Sequence, residues 1–150
     1  MHNPIHNKGT AWPLPERDRL GVRGLVPPTY ATLKEQQHRV LSRLKVLQDP
    51  IEKFEILSAL QDRNEVLFYS ILKDYIKEIA PIIYTPTVGE VCKNFSALFR
   101  RARGMYFSTQ DIGQMNAMVY NWPQDDVDVI VVTDGSRVLG LGIVVGGEGV

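Results

Sequence analysis

The sequence predicts an α/β protein in which a mainly helical amino-terminal lobe is followed by the first βαβ unit of a truncated α/β lobe. Two patterns support this class. Between residues 34 and 99, apolar side chains recur every three or four positions, the spacing of amphipathic helices. After Gly104, apolar residues gather in short extended runs around one helical segment. We expect a helical lobe with an extended arm over residues 1–102, the start of the α/β lobe over 103–142, and a divergent glycine-rich tail over 143–150.

Composition and charge limit the function classes. Apolar residues make up 44% and charged residues 23% of the 150 positions, the balance of a globular domain. Lys plus Arg and Asp plus Glu both number 17, so no net charge attracts nucleic acid or an anionic membrane, and we expect neither partner. The lone Cys92 excludes an internal disulfide. Since His2, His6 and His38 lack metal-ligand spacing, no metal site is predicted from these residues.

The arm and the first helices follow from local signals. Residues 1–30 are rich in proline and glycine and predict an irregular arm with one helical turn at 16–20. A helix is expected over 34–47. Asp49 followed by Pro50 is a typical helix opening, with the acid as cap and the proline in the first turn. The apolar stripe behind it is Ile51, Phe54, Leu57 and Leu60.

Proline and cap signals divide the later elements. A helix over 63–80 should end before Pro81, because proline disfavours helical geometry in the preceding residue, and 82–84 should be extended. Thr87 and Glu90 match a capping box. A second box, at 108–111, should open a helix to about residue 120, between strands at 105–108 and 127–133. These three elements would form the βαβ unit.

Tyr84 is a candidate for chemistry. It is expected at the end of an extended segment, directly before a helix amino terminus, where unpaired N–H groups and the helix dipole favour an anion. A phenol in that setting could act as a general acid. The alternative is a buried tyrosine whose hydroxyl bonds to the backbone.

The segments around Arg137 and Arg100 offer anion contacts. Arg137 follows the apolar run at 127–133, and ligands collect beyond the carboxyl ends of strands in α/β sheets. It could clamp a carboxylate, or it could be a solvated hairpin arginine. Arg100, Arg101 and Arg103 form a basic cluster that is either a solvated patch or a phosphate or carboxylate contact. The glycine-rich tail fails the dinucleotide-loop spacing, because Val145 stands where the third glycine should be.

A series of ordered motifs makes the chain resemble the malic enzyme family. The similarity runs from about residue 3 to residue 142, and its details are closest to the mitochondrial NAD-linked type. The motifs are Asn7–Thr10, Glu16–Gly21, Arg23–Pro28, Asp62–Glu65, Ile83–Gly89, Arg103–Ser108, Asn121–Pro123 and Thr133–Gly142.

The resemblance implies a reaction, its cofactors and two site residues. Members of the family oxidise L-malate with NAD or NADP, decarboxylate the product on a divalent metal such as Mg²⁺ or Mn²⁺, and protonate the resulting enolpyruvate. Tyr84 would be the general acid that protonates the enol carbon. Arg137 would bind a malate carboxylate and lie near the cofactor. The resemblance also implies an oligomer, formed with copies of this chain or with intact subunits. It further implies a location in the mitochondrial matrix, with the cytoplasm as the alternative. No presequence is visible in the sequence.

The resemblance also implies a regulatory site and contains one departure. Arg39 and Arg63 match the two arginines of an allosteric fumarate site that some members carry at the dimer interface, but Ala31 stands where an acidic residue often accompanies them. Ile143 replaces an aspartate that follows the Gly140–Gly142 motif, and the catalytic lysine and acidic metal ligands of the family are missing. We therefore expect these residues to be inactive alone, or to act as a subunit-interaction module that dimerises with or modulates an intact malic enzyme.

Overall fold

A computed structural model of the chain describes residues 3–99, 101–124 and 126–134. The chain divides into two compact units, Met1–Val91 and Cys92–Val150. None of the helices in the described ranges is both long and apolar enough to cross a membrane. The helices are α1 (Leu14–Arg19), α2 (Leu33–Val46), α3 (Pro50–Arg63), α4 (Glu65–Asp74), α5 (Ile76–Ile83), α6 (Thr87–Lys93), α7 (Phe95–Leu98) and α8 (Met115–Val119), with a 3-10 turn at Thr109–Asp111.

The core of the first unit lies among α2, α3, α4 and α5. In α3 the predicted stripe is buried at Leu57 and Leu60, whereas Ile51 and Phe54 are only partly buried. A fully buried leucine such as Leu57 contributes about 1.5–3 kcal/mol relative to an exposed one. The mainly helical character of this region is therefore confirmed. The buried members of the core are Leu41, Leu44, Leu57, Leu60, Leu67, Phe68, Ile71 and Ile79.

Two side-chain caps fix where α2 and α3 begin. The Thr32 hydroxyl accepts the Glu35 N–H at 3.3 Å, and the Glu35 carboxylate accepts the Thr32 N–H at 2.7 Å. This reciprocal box opens α2. Asp49 accepts the N–H of Ile51 at 2.8 Å and α3 starts at Pro50, so the predicted opening of that helix is confirmed.

The single helix predicted over 63–80 is wrong in two respects. Tyr75 interrupts it with non-helical backbone angles (φ −128°, ψ 33°), so α4 and α5 are separate. In addition, Pro81 lies inside α5 instead of ending it, and residues 82–83 are helical where an extended piece was expected. Ile79 is buried and Ile82 and Ile83 pack against the same core, so tertiary contacts outweigh the local preference of proline.

The predicted capping box at Thr87 is also wrong. Thr87 is the first residue of α6 and not its cap. Its hydroxyl donates to the Pro81 carbonyl at 2.8 Å, so it serves the end of the preceding helix. The helical segment behind it breaks at Asn94 into α6 and α7. Val91 is buried there, whereas Phe99 is 49% exposed.

The second unit contains the predicted cap but no strand among its described residues. Ser108 and Asp111 form the box, with the Ser108 N–H donating to Asp111 at 2.7 Å. The helix that should follow is interrupted, since Gly113 adopts φ +88° between the 3-10 turn and α8. Residues 105–108 and 127–133 are not strands, so the βαβ unit is not present here. A strand needs a hydrogen-bonded neighbour, and no described segment supplies one.

Candidate active site

Tyr84 lies at the junction of α5 and α6, on a backbone held from both sides. Its N–H donates to the Ala80 carbonyl at 2.9 Å, and its carbonyl accepts the Val88 N–H at 2.9 Å. The residue precedes a helix, as predicted, but it follows a helix and not a strand. The side chain is 67% exposed, so the alternative of a buried tyrosine bonded to backbone is wrong.

The turn that carries Tyr84 is tied together by further contacts. The Thr85–Pro86 peptide bond is cis, and the Gly89 N–H donates to the Pro86 carbonyl at 3.0 Å. The buried Thr87 joins this turn to Pro81 through its hydroxyl. The arrangement presents a phenol to solvent from a fixed backbone, which is what a proton donor to an external carbon requires.

The arginines predicted to contact anions in the carboxyl-terminal part divide into described and undescribed residues. Arg137, the Gly140–Gly142 motif and the glycine-rich tail lie outside the described residues, as does Arg100. Arg101 and Arg103 are exposed, and each takes part in an interaction with another residue. The choice between a solvated patch and an anion contact stays open for this cluster.

Arg39 borders a cavity of about 520 Å³ between the arm and α2. The guanidinium is exposed, and its Nη2 donates to the Thr10 hydroxyl at 3.5 Å. The Arg39 charge also helps to hold the pKa of Glu35 below its usual range, after the larger effects of hydrogen bonds from the Thr32 N–H and hydroxyl. The cavity is lined by Thr10, Pro27, Thr29, Tyr30, Ala31, Glu35, His38 and Arg39.

Arg63, the second predicted effector residue, ends α3 and is exposed. The arm reaches its backbone, because Asn7 Nδ2 donates to the Arg63 carbonyl at 2.8 Å. Sequence reasoning missed Asn7 and Thr10 as neighbours of the two arginines. The one available signal was the Asn7-Lys8-Gly9 sequence, which is typical of a turn that could bring the arm back onto the helices.

The divalent metal implied by the resemblance finds no ligand set in the described ranges. Within residues 3–99, 101–124 and 126–134, no three histidine, cysteine or acidic side chains gather closely enough to hold an ion. These residues alone do not fit a metal, so we assign no chemical step to one.

Comparisons with known proteins agree with the motifs around Tyr84. Residues 61–150 match the family described as malic enzyme, N-terminal domain. The chain is 55% identical over 152 aligned residues to the mitochondrial NAD-dependent malic enzyme of Solanum tuberosum, covering 95% of the chain and 24% of that enzyme. It is 56% identical over 142 aligned residues to the hydrogenosomal malic enzyme of Neocallimastix frontalis, covering 95% of the chain and 24% of that enzyme. It is 50% identical to the NADP-dependent malic enzyme of Dictyostelium discoideum, covering 95% of the chain and 26% of that enzyme.

These findings define the chain as an amino-terminal helical domain of an enzyme, carrying one part of a candidate active site. The chain belongs to the malic enzyme family. It spans about a quarter of the length of the relatives that it matches, from 24% to 26% in these three cases.

Proposed function

We propose that the protein to which these residues belong oxidises and decarboxylates L-malate to pyruvate and CO₂ with NAD or NADP. The observation that carries this proposal is the match of residues 61–150 to the malic enzyme N-terminal domain, which includes the Tyr84 turn. The relatives include NAD-dependent and NADP-dependent malic enzymes, which supports a nicotinamide cofactor of either type. When bound, that cofactor would accept the hydride from C2 of malate.

We propose that Tyr84 donates the proton that completes pyruvate. After CO₂ has left, the enol carbon at C3 needs one proton to become the methyl group. The phenol would give its proton to C3 and regain one from solvent, which its 67% exposure permits. Arg137, predicted to bind a malate carboxylate and to lie near the cofactor, would orient the substrate through two parallel hydrogen bonds.

We propose a regulatory role for Arg39 and Arg63. The cavity beside Arg39 brings the guanidinium together with the Thr10 hydroxyl and His38, a set that could bind a carboxylate. Arg63 does not line this cavity, so a dicarboxylate such as fumarate would have to extend beyond it to bridge the two arginines. Ala31 contributes no carboxylate to this lining, but Glu35 does, and its charge interacts with that of Arg39, so a bound anion would compete with Glu35 for the guanidinium.

The second candidate function is a subunit-interaction module. It is favoured by exposed apolar side chains along the arm, which a partner surface would cover. The chain would then form an oligomer with copies of itself or with intact malic enzyme subunits. Co-purification of the tagged chain with an intact subunit tests this function, and failure to associate would contradict it. The exposed residues are Ile5, Leu14, Leu20, Leu25 and Tyr30, between 48% and 68% accessible.

We also propose that residues 127–133 become a strand in the whole protein. This run exposes Ile130 at 77% and Val132 at 90%, and an apolar segment of this kind is stable only when covered. Strand pairing with a neighbouring segment would bury it and would complete the predicted βαβ unit.

We infer a mitochondrial matrix location because the Solanum tuberosum relative is named a mitochondrial enzyme. The cytoplasm is the alternative. Import of the complete gene product into isolated mitochondria distinguishes the two.

The activity is tested by assaying the product of the complete gene for malate-dependent reduction of NAD and of NADP. We expect pyruvate and reduced nicotinamide in equal amounts. Reduction without release of CO₂, or no reduction with either cofactor, would contradict the proposal. The 150 residues by themselves are expected to show no activity, since the family's catalytic lysine and acidic metal ligands are not found in them.

A further inference from the structure

A turn of the arm, Asn7–Thr10, contacts both arginines of the proposed effector site. Asn7 Nδ2 donates to the Arg63 carbonyl at 2.8 Å, and the Thr10 hydroxyl accepts from Arg39 Nη2 at 3.5 Å. Arg39 belongs to α2 and Arg63 to the end of α3. One short segment therefore joins two residues that lie far apart in sequence.

The turn has a defined shape of its own. Asn7 is 8% exposed, and its Oδ1 accepts the Gly9 N–H at 2.8 Å, which closes the turn. Gly9 adopts φ +58°, and a Cβ there would lie 2.6 Å from Gln36 Oε1. Gln36 in turn donates to the Lys8 carbonyl at 3.2 Å. The left-handed backbone favours glycine at this position, and a side chain here would displace the Gln36 amide from the turn.

The same part of the arm holds the junction of α3 and α4. The Glu65 N–H donates to the Pro4 carbonyl at 3.0 Å, while Asn7 binds the carbonyl of Arg63. Between them, the buried Asn64 caps α4 by accepting the Leu67 N–H at 3.0 Å. The arm thus binds the backbone on both sides of the cap residue and fixes the point from which the Arg63 side chain extends.

We propose that Asn7 and Thr10 are positioning residues that hold Arg63 and Arg39 ready to bind one dicarboxylate. The inference rests on the proposed effector site and deepens it. Long arginine side chains lose rotamer entropy when they bind an anion, and a site that fixes them in advance lowers that cost. Asn7 acts through the backbone of Arg63, and Thr10 acts through the guanidinium of Arg39.

The test uses the complete 150-residue chain and two measurements: titration with fumarate, and NMR of the arginine Nε–H and backbone amide groups. Thr10→Val removes the hydroxyl and keeps the shape, while Thr10→Ser keeps the hydroxyl. Asn7→Ala removes both hydrogen bonds, whereas Asn7→Asp restores the acceptor for Gly9 but not the donor to Arg63. Asp18→Asn, which alters an exposed ion pair with Arg23 in the arm, is the control.

We expect Thr10→Val to weaken fumarate binding about 3- to 10-fold, the effect of losing one hydrogen bond, and Asn7→Ala, which loses two, to weaken it at least as much. Thr10→Ser and Asp18→Asn should stay within about 2-fold of the wild type. Thr10→Val should also shift the Arg39 Nε–H signal without ligand. Asn7→Asp should not restore binding, because aspartate cannot donate to the Arg63 carbonyl. If Asn7 served only to shape the turn, aspartate would restore binding.

The outcomes separate the inference from the proposal beneath it. If Arg39→Ala and Arg63→Ala weaken binding but Thr10→Val and Asn7→Ala bind as the wild type does, the positioning inference is overturned and the effector site stands. If the wild type does not bind fumarate, the effector site fails. The arginine and amide signals then decide positioning on their own: unchanged Arg39 Nε–H, Asn64 and Glu65 signals in the variants would overturn it.

Discussion

Arg17 shows how a single charged residue can hold an irregular segment together. Its side chain is 2% exposed, and its guanidinium donates to backbone carbonyls. Nε reaches the Trp12 carbonyl and Nη1 the Pro27 carbonyl, both at 2.7 Å. Longer bonds run from Nη2 to the carbonyls of Thr10 and Thr29, at 3.4 and 3.5 Å. A proline-rich arm with few backbone partners of its own gains its shape from this guanidinium.

Arg17→Lys should therefore destabilise the chain although it keeps the charge. An ammonium group cannot make the planar set of bonds from Nε and both Nη atoms, so we expect a loss of about 2–4 kcal/mol in the free energy of unfolding. Urea denaturation followed by circular dichroism measures it. Arg19→Lys, at an exposed position of the same helix, is the control. A loss equal to that of the control would mean that the carbonyl contacts contribute nothing specific.

The capping box of α2 makes the stability of the fold depend on pH. The Thr32 N–H and then the Thr32 hydroxyl lower the pKa of Glu35, with a smaller contribution from the Arg39 charge. A carboxyl group with a lowered pKa in the folded state stabilises the fold above its unfolded pKa. This stabilisation is lost as the pH falls through the folded pKa.

Glu35→Gln should therefore flatten the acid dependence of stability. Glutamine still suits a capping box but does not titrate. We expect the denaturation midpoint of the wild type to fall more steeply than that of the variant between about pH 5 and pH 3. Urea titrations at a series of pH values measure the denaturation midpoint of both proteins. The contributions of the other titrating groups are common to both and cancel in the difference. Parallel curves would show that the cap is not electrostatic.

Local signals predicted two helix caps correctly, whereas contacts with distant residues decided several of the other boundaries. The Asp49–Pro50 opening and the Ser108 box depend on neighbours in sequence, and both are correct. Pro81 could not be placed from sequence, because its helix persists through the packing of Ile79 against distant residues. Tyr84 was found from its motif, but its exposure depends on how α5 and α6 meet. Strand formation at 127–133 depends on a partner segment, which the local pattern does not supply.

At the scale of the molecule, the first unit carries its own core. Every member of the main buried cluster lies between Leu41 and Ile79, and the arm has a smaller cluster of Trp12, Val22 and Val26. Both lie inside the unit Met1–Val91. A region that buries its apolar residues internally should fold without the remainder.

The fragment 1–91 should therefore be helical and unfold cooperatively. Thermal denaturation followed by circular dichroism tests this, and we expect a single transition. Leu57→Ala in the same fragment should lower the free energy of unfolding by about 2–5 kcal/mol, because Leu57 is fully buried, whereas Val46→Ala, at 78% exposure, should have little effect. A broad, non-cooperative transition in the unmodified fragment would contradict an independent core.

We propose that Tyr84 is the proton donor that this chain supplies to a malic enzyme. A chimera tests it most directly: these residues replace the aligned segment of the Solanum tuberosum enzyme, to which they are 55% identical. We expect malate-dependent formation of pyruvate by the chimera. We also expect a loss of about 100-fold or more in kcat with Tyr84→Phe, since a general acid contributes roughly 10²–10⁴ in rate. A chimera whose kcat is unchanged by Tyr84→Phe would contradict it.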